Sequence, residues 1–454
     1  MNYGVLTTVT LMSKLRLKFI WVTIICGLAS SGCGVLSSSS SSPTPASVRA
    51  SAALPSENEA TEASIRFLED RVRRDHDDFI AYNKLAGYYL QRQRETGSLN
   101  YLDFALRAAR GSLAAMPAET NVGGLAALAQ AEYASHDFPS ARDHAIQLIQ
   151  LDRAKSYPYQ ILGDALLELG DYDKAASTFV EMERLGVSAG SEARLARAAV
   201  LHGQTNEAAR RLSMALSLAL AQEPPPRETV AWIRWQLGEV AFSIGDYQKA
   251  EQQYRDTLVT FPDYYRALAG LGRVLAAHGN MEGAIENYKR AIQIIPDPVF
   301  ISALSDLYKL SDREKEAAAQ YALVEHIARL SEINGVIYNR QLALFYADHD
   351  IKAGDAYKNA AKEYEVRRDI HGADAVAWTA LKAGKLAEAQ TTIEEALRLG
   401  TRDARLLYHA GMIHRATGNN ALAREYLKRA LTLNPQFDPL QAVNAKKALA
   451  TVGE

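Results

Sequence analysis

The sequence predicts an all-helical solenoid, a curved stack of similar helical hairpins, over most of its 454 residues. Residues 234–262 and 268–296 align at a constant offset of 34 positions, so that Leu237 matches Leu271 and Pro262 matches Pro296. Apolar residues within each segment recur at i, i+3, i+4 and i+7, which is the spacing of one helix face. No stretch shows the alternation of a half-buried strand. A hairpin of this kind cannot bury its apolar face alone and is covered by the next copy, which produces a solenoid.

The chain begins with a segment that has the layout of an export signal. Lys14, Arg16 and Lys18 precede an uncharged run at 19–29, and small residues follow up to Cys33. These eleven uncharged residues are too few to cross about 30 Å of hydrocarbon as a helix. A basic stretch, a short apolar core and then small residues are typical of a secretory signal peptide. We therefore predict a signal peptide over residues 1–33, with Met12 as an alternative start.

The cysteines refine this prediction, because Cys26 and Cys33 are the only two in the chain. The segment "SSGC" resembles the lipobox of bacterial lipoproteins, although Ser30 stands where an aliphatic residue is usual. The resemblance implies that Cys33 is lipidated and that Gly34 favours an outer membrane, whereas simple secretion and an uncleaved signal anchor are the alternatives. Disulfides and cysteine-based metal sites or catalysis are excluded over 34–454. Residues 34–55, rich in Ser, Ala and Pro, are predicted to be a flexible tether.

Small or rigid residues mark fixed positions of each repeat. Glycine at position 8 allows the two helices of a hairpin to cross closely, and glycine at position 15 fits a left-handed residue that ends the first helix. Alanine at position 20 lies on the inner face of the second helix, and proline at position 32 ends that helix. The clearest examples are Gly163, Ala175, Gly238, Ala250, Pro262, Gly272, Ala284, Pro296, Gly411, Ala423 and Pro435.

These residues resemble the tetratricopeptide repeat (TPR) pattern, and the resemblance covers about four-fifths of the chain. It implies a TPR superhelix of about ten hairpins, with position-20 residues Ala105, Ala141, Ala175, Ala208, Ala250, Ala284, Ala317, Ala356, Ala389 and Ala423. The register of the eighth unit, 337–369, is open. A leading helix to about Arg74 and units one to four form a predicted block at 56–220, and units five to ten form a second at 229–435. Residues 436–454 are predicted to hold a capping helix and tail.

Little in the sequence suggests chemistry. No phosphate-binding loop or nucleophile turn is present, so we expect no enzyme and no cofactor. The formal charge is −2, without a basic cluster, which argues against nucleic acid. Asp348, His349 and Asp350 are adjacent and could hold a cation if another unit supplied a third ligand. The alternative interpretation is a polar helix end, and we predict no metal site.

The TPR resemblance places certain first-helix residues on the inner, concave wall, where that family binds partners. Aromatic and Arg side chains often dominate interface energetics, which makes these residues candidates for a groove. The alternative is that they pack between neighbouring hairpins. The candidates are Trp232, Trp235, Phe242, Arg266, Arg273, Tyr338, Phe345, Trp378, Arg405, Tyr408 and Arg415.

The favoured function is a non-catalytic, exported and lipid-tethered scaffold in the cell envelope, facing the periplasm or exterior. Its partner is expected to be a protein or peptide that docks at many points along the groove. Ten units of the TPR family would complete about one superhelical turn. One alternative is an accessory subunit of an envelope-assembly or polysaccharide-export machine. Another is a metal- or small-ligand-binding protein or enzyme that uses the Asp348–His349–Asp350 cluster.

Overall fold

The computed structural model describes residues 57–333 and 340–452, which contain 22 α-helices and no strand. The signal peptide, Cys33, the tether and Tyr338 lie outside the described residues. None of the described helices combines the length and the apolar character needed to cross a bilayer. Within residues 57–452, helix α1 leads, ten antiparallel hairpins follow from α2–α3 to α20–α21, and α22 ends the stack. The bounds are α1 Glu57–Arg74, α2 Phe79–Thr96, α3 Asn100–Ala115, α4 Val122–Ala134, α5 Phe138–Leu151, α6 Ser156–Glu168, α7 Tyr172–Arg184, α8 Ala189–Leu201, α9 Thr205–Leu220, α10 Arg227–Ser243, α11 Tyr247–Thr260, α12 Tyr265–Ala277, α13 Met281–Ile294, α14 Pro298–Leu310, α15 Glu314–Ile333, α16 Arg340–Asp348, α17 Ala353–Tyr364, α18 Ile370–Lys382, α19 Leu386–Leu397, α20 Ala404–Ala416, α21 Asn420–Leu433 and α22 Gln441–Thr451.

The predicted repeat register is confirmed by the burial of the position-20 alanines. Nine of the ten are 0% exposed and Ala317 is 2% exposed. Ala356 is among the fully buried ones, so the frame holds through the eighth unit, whose register the sequence left open. A side chain as small as alanine lets the second helix of each hairpin lie close to its neighbours. The ten-hairpin solenoid with a C-terminal capping helix is therefore correct.

The position-8 glycines lie where the two helices of one hairpin cross. A Cβ atom built on Gly163, Gly238, Gly272 or Gly411 would come within 3.0 Å of a large side chain on the second helix. In every case that side chain lies sixteen residues later, at Phe179, Tyr254, Tyr288 or Leu427. Each of these four hairpins is thus closed by a large side chain that fills the space above a glycine.

The position-15 glycines have the predicted left-handed conformation. Their φ angles lie between 68° and 81° in Gly170, Gly203, Gly245, Gly279, Gly384 and Gly418. Side chains are strained in this conformation, so glycine ends the first helix at the lowest cost. The position-32 prolines lie just after the second helices, as at Pro262 after α11 and Pro296 after α13. Both turns of the repeat therefore follow from local backbone chemistry.

Successive turns of the superhelix contact one another. The side chains of Arg367 and Thr401 donate hydrogen bonds to Glu168 and to the Leu201 carbonyl, across separations of 199 and 200 residues. The Ile370 amide donates to the Tyr172 hydroxyl at 2.8 Å, 198 residues away. With 34 residues per unit, these spacings correspond to about six units per turn. The expectation of one turn per ten units is therefore wrong, because bonds between turns stabilise a tighter winding.

A buried charge network joins the two turns. Glu168 bonds Arg197 of its own turn and Arg367 of the next, the latter at 2.6 Å. Arg367 also pairs with Asp369 at 3.0 Å. Burial opposes the negative charge of Glu168, but Arg197 and Arg367 outweigh it and hold its pKa well below the usual range. Removing one member of such a buried network leaves other charges without partners, which is strongly destabilising.

Several position-15 glycines have a second role at this contact. A Cβ atom on Gly170 or Gly203 would come within 3.0 Å of the carbonyl oxygen of Arg368 or Gly400, in loops of the following turn. No atom lies within 4 Å of the equivalent position on Gly279, Gly384 or Gly418. Gly170 and Gly203 therefore contact another turn of the solenoid, whereas the other three glycines face open space.

The hairpin crossing can be tested by giving Gly238 a side chain. We expect Gly238→Ala to lower the free energy of unfolding by about 2 kcal/mol, because the new methyl group overlaps the Tyr254 ring. Gly87→Ala is the matched control, since Gly87 lies in α2 with no atom within 4 Å of a new Cβ. That change should instead stabilise the protein by about 0.5–1 kcal/mol. Urea denaturation followed by circular dichroism measures the free energy of unfolding of both variants. Equal changes in the two variants would contradict the close helix crossing at Gly238.

The contact between turns can be tested with two glycines of similar conformation. Gly203→Ala and Gly384→Ala should suffer similar backbone strain, because their φ angles are 68° and 75°. Only Gly203→Ala also clashes with the next turn, at Gly400. We expect hydrogen–deuterium exchange in residues 398–402 to accelerate in Gly203→Ala alone. Unchanged exchange there, or equal acceleration in Gly384→Ala, would show that the turns do not touch in solution.

Candidate functional site

Five of the last six hairpins, all but the ninth, line a central cavity of about 580 Å³. Its wall is formed by first helices of the hairpins, α10, α12, α14, α16 and the start of α20, and by the loop at 434–439. Inner positions of a first helix repeat every three to four residues, so each helix contributes only a few side chains to the wall. The cavity therefore lies on the concave surface of the solenoid, and the curvature of the stack gives it its walls while leaving it partly open.

Residues beyond the tenth hairpin close the wall. Asn434 is 1% exposed, and its amide donates to the Phe242 carbonyl at 2.7 Å. The Asn434 side-chain oxygen accepts a hydrogen bond of 2.6 Å from the Tyr247 hydroxyl. The backbone amide of Gln436 also donates to Tyr247, at 3.1 Å. These bonds join the fifth unit to the end of the tenth and convert the concave groove into a ring.

The structure brings six of the eleven predicted groove residues to the cavity. They are Trp235, Phe242, Arg266, Arg273, Phe345 and Arg405. Phe242 and Phe345 are nonetheless 5% and 4% exposed, so they support the wall more than they present a surface to a partner. Trp235 and Arg266 retain more accessible surface, and the Arg266 guanidinium carbon lies 5.2 Å from the centre of a Trp235 ring.

Four other predicted groove residues lie elsewhere. Trp378 and Tyr408 belong to the core, at 1% and 2% exposed, so the expectation that they line the groove is wrong. Trp378 donates to Asp348 at 2.9 Å, and Tyr408 donates to Gln441 of the capping helix at 2.8 Å. Trp232 is half-buried between neighbouring hairpins, which is the alternative to a groove position that the sequence left open. Arg415 is exposed and lies outside the cavity.

The three cavity arginines differ in how their charge is balanced. Arg273 pairs with Glu239 at 2.6 Å, bonds the Tyr254 hydroxyl at 3.0 Å and stacks on Phe242. Arg405 lies between Asp348 and Asp438, at 3.2 and 3.0 Å. Among the residues that the structure describes, none places a carboxylate within ion-pair distance of Arg266, which contacts the rings of Trp235 and Tyr265. Its two terminal nitrogens are therefore available to a bound group.

Sequence reasoning missed much of the polar wall. Asp297 and Asp403 line the cavity and also cap the N-termini of α14 and α20. An acidic residue just before a predicted helix was a usable signal for those two positions. Phe437 and Asp438 reach the cavity only because the ring closes, so repeat spacing could not reveal them. Tyr288 lines the cavity from a second helix, which the inner-wall positions do not include.

The three side chains of the Asp348–His349–Asp350 cluster bond to different partners. Asp348 bonds Arg405 and Trp378, His349 bonds Asp306 at 2.8 Å, and Asp350 pairs with Lys382 at 2.6 Å. Burial disfavours the protonated form of His349. The hydrogen bond and the negative charge of Asp306 outweigh this effect, so the pKa of His349 is raised. No group of three or more metal-ligating side chains occurs within 57–333 and 340–452. The three side chains do not converge on one point.

Comparison with known proteins agrees with this architecture. A profile of the tetratricopeptide repeat family matches residues 126–186, 236–297 and 376–436. No curated protein matches the sequence. The similar solved structures include yeast Tom70, with 13% identity over 87% of this chain and 93% of that chain and a TM-score of 0.37.

Two further solved structures cover a smaller part of this chain. PilW, a type IV pilus biogenesis factor, shares 17% identity over 47% of this chain and 97% of its own, with a TM-score of 0.39. YrrB, a TPR protein with an unusual peptide-binding site, shares 20% identity over 43% of this chain and 96% of its own, with a TM-score of 0.29. These likenesses concern the fold alone. The chain contains tetratricopeptide repeats, and its fold is an all-α TPR solenoid of ten helical hairpins with a C-terminal capping helix.

Proposed function

We propose that this protein is a non-catalytic, exported and membrane-tethered TPR scaffold that binds a protein partner in its central cavity. The observation that carries the proposal is the contact between half-buried Trp235 and exposed Arg266 on the wall of the cavity. Arginine and aromatic side chains often dominate binding energy when a partner excludes water from them. Both lie on first helices, which the surrounding hairpins hold rigidly.

The size of the cavity limits the form of the partner. Pockets that enclose small ligands hold about 300–1,000 Å³, and this cavity falls within that range at about 580 Å³. One short segment of a partner fits such a space, whereas a long extended chain does not. Docking is therefore proposed as insertion of a loop or chain end rather than many contacts along an open groove.

Site-specific photocrosslinking tests the cavity as the binding surface. A photoreactive amino acid at Ser302, which lines the cavity, should yield one discrete crosslinked protein in intact cells. The same group at Val259, which is 81% exposed and is not among the cavity residues, is the matched control. Trp235→Glu should abolish the Ser302 product while the helical circular dichroism signal persists. Equal crosslinking from both positions, or a product that survives Trp235→Glu, would contradict the proposal.

The proposed export and tethering rest on the sequence of residues 1–33. A basic stretch and a short apolar run precede Cys33, and a tether of about twenty residues would span roughly 25 Å as a flexible coil. That length would hold the solenoid away from a membrane surface while leaving its cavity accessible. One acyl chain binds a membrane only marginally, so stable attachment requires more than one chain on the cysteine.

Lipidation at Cys33 predicts a simple fractionation result. The unaltered protein should incorporate labelled palmitate and sediment with membranes, and Cys33→Ser should lose both properties. Cys26→Ser is the matched control, because it removes the other cysteine and leaves the proposed acylation site intact. Palmitate incorporation that persists in Cys33→Ser would contradict the lipid anchor.

A further inference from the structure

The cavity wall carries more negative than positive charge. Six carboxylates line it, those of Glu239, Asp297, Asp306, Asp348, Asp403 and Asp438, against the three arginines described above. A protonated His349, bonded to Asp306, would offset one further charge and still leave a surplus of acid. Enclosed surfaces that carry one sign of charge concentrate the field and attract ions of the opposite sign.

Two of these carboxylates keep an oxygen free. Glu239 receives its bonds from Arg273 and Tyr254 at one oxygen, Oε1. Asp306 likewise receives its bonds from His349 and Tyr321 at Oδ1 alone. Among the described residues, the second oxygen of each has no hydrogen-bond partner. Both side chains line the cavity and are held by two hydrogen bonds each, while one oxygen of each remains available as an acceptor.

Tyr288 adds a hydroxyl group to the cavity wall. It lines the cavity and is 7% exposed, yet its hydroxyl has no hydrogen-bond partner among the described residues. Burial raises the pKa of Tyr288 to about 12, and the charges of Arg273, Asp438, Glu239 and Asp306 act on the hydroxyl. The hydroxyl itself remains accessible to solvent, so it can form a hydrogen bond with a group that enters the cavity.

Aromatic rings add to the attraction for a cation. Tyr265, Phe300 and Phe437 line the same space, with Tyr265 and Phe300 centred 6.1 Å apart. The faces of aromatic rings attract ammonium and guanidinium groups, most strongly where water is excluded. A wall that combines a surplus of carboxylates with aromatic faces therefore favours a positively charged organic group over a free metal ion.

We infer that the cavity binds a lysine or arginine side chain of the partner, beside the Tyr288 hydroxyl and the free oxygens of Glu239 and Asp306. This inference rests on the proposed function and specifies the chemistry of the inserted segment. Arg266 lies seven residues before Arg273 on α12, about 10 Å away on the same helix face. Arg266 is therefore at a distance from Arg273 and Glu239 and can contact a carbonyl or carboxylate of the same segment.

Fluorescently labelled tetralysine and tetraglutamate peptides test the inference on the purified full chain. Tetralysine should bind and tetraglutamate should not. Tyr288→Phe should weaken tetralysine binding about fivefold, because it removes a hydroxyl that forms no hydrogen bond with the described residues and can bond the ligand. Glu239→Gln should weaken it about tenfold or more, since a bond to a charged group is lost. Glu251→Gln is the matched control, because Glu251 lies outside the cavity and pairs only with exposed Arg255.

Three results would overturn the inference. The first is that tetralysine does not bind. The second is that Tyr288→Phe, Glu239→Gln and Glu251→Gln all bind tetralysine with the same affinity. The third is that tetraglutamate binds more tightly than tetralysine. The proposed function is tested separately by the crosslink at Ser302. A crosslink that depends on Trp235, combined with failure of the peptide experiment, would leave the scaffold function in place and remove only its preference for a basic segment.

Discussion

Each hairpin depends on a contact between a small residue and a large one. Where glycine occupies position 8, a ring or a leucine from the second helix fills the space above it, and a methyl group there would overlap that side chain. The position-20 alanine, almost fully buried in all ten units, brings the second helix equally close to its neighbours. These two positions fix the geometry of a hairpin, and stacking of hairpins with one geometry produces a regular superhelix.

The winding of that superhelix creates the candidate site. The superhelix has about six units per turn. The loop after the first helix of one unit therefore contacts a loop nearly 200 residues later in the chain. Glycines such as Gly203 permit the approach, and the network around Glu168 and Arg367 holds it. In the last six hairpins the same closure, made by Asn434, encloses a cavity. A solenoid with looser winding would offer an open groove instead and would bind longer segments.

The sequence predicted the repeats because their chemistry is local. Glycine in a left-handed turn, proline after a helix and alanine at a crossing act within one hairpin, so a fixed period reveals them. The site was only partly predictable, because it depends on contacts between distant units. Trp378 and Tyr408 occupy inner positions by register, but bonds to Asp348 and to Gln441 of the capping helix place them in the core. Asp438 reaches the cavity only through ring closure.

The most direct test of this account is the distance between the fifth and tenth units in solution. Residues 34–454 contain no cysteine, so Gln248→Cys and Thr432→Cys, both at exposed positions near the closure, would carry two spin labels. Electron–electron double resonance should give one narrow distribution below about 30 Å if the ring is closed. Without closure, the five hairpin spacings between the labels, at about 10 Å each, would hold them about 50 Å apart. A long or broad distribution would contradict the enclosed cavity.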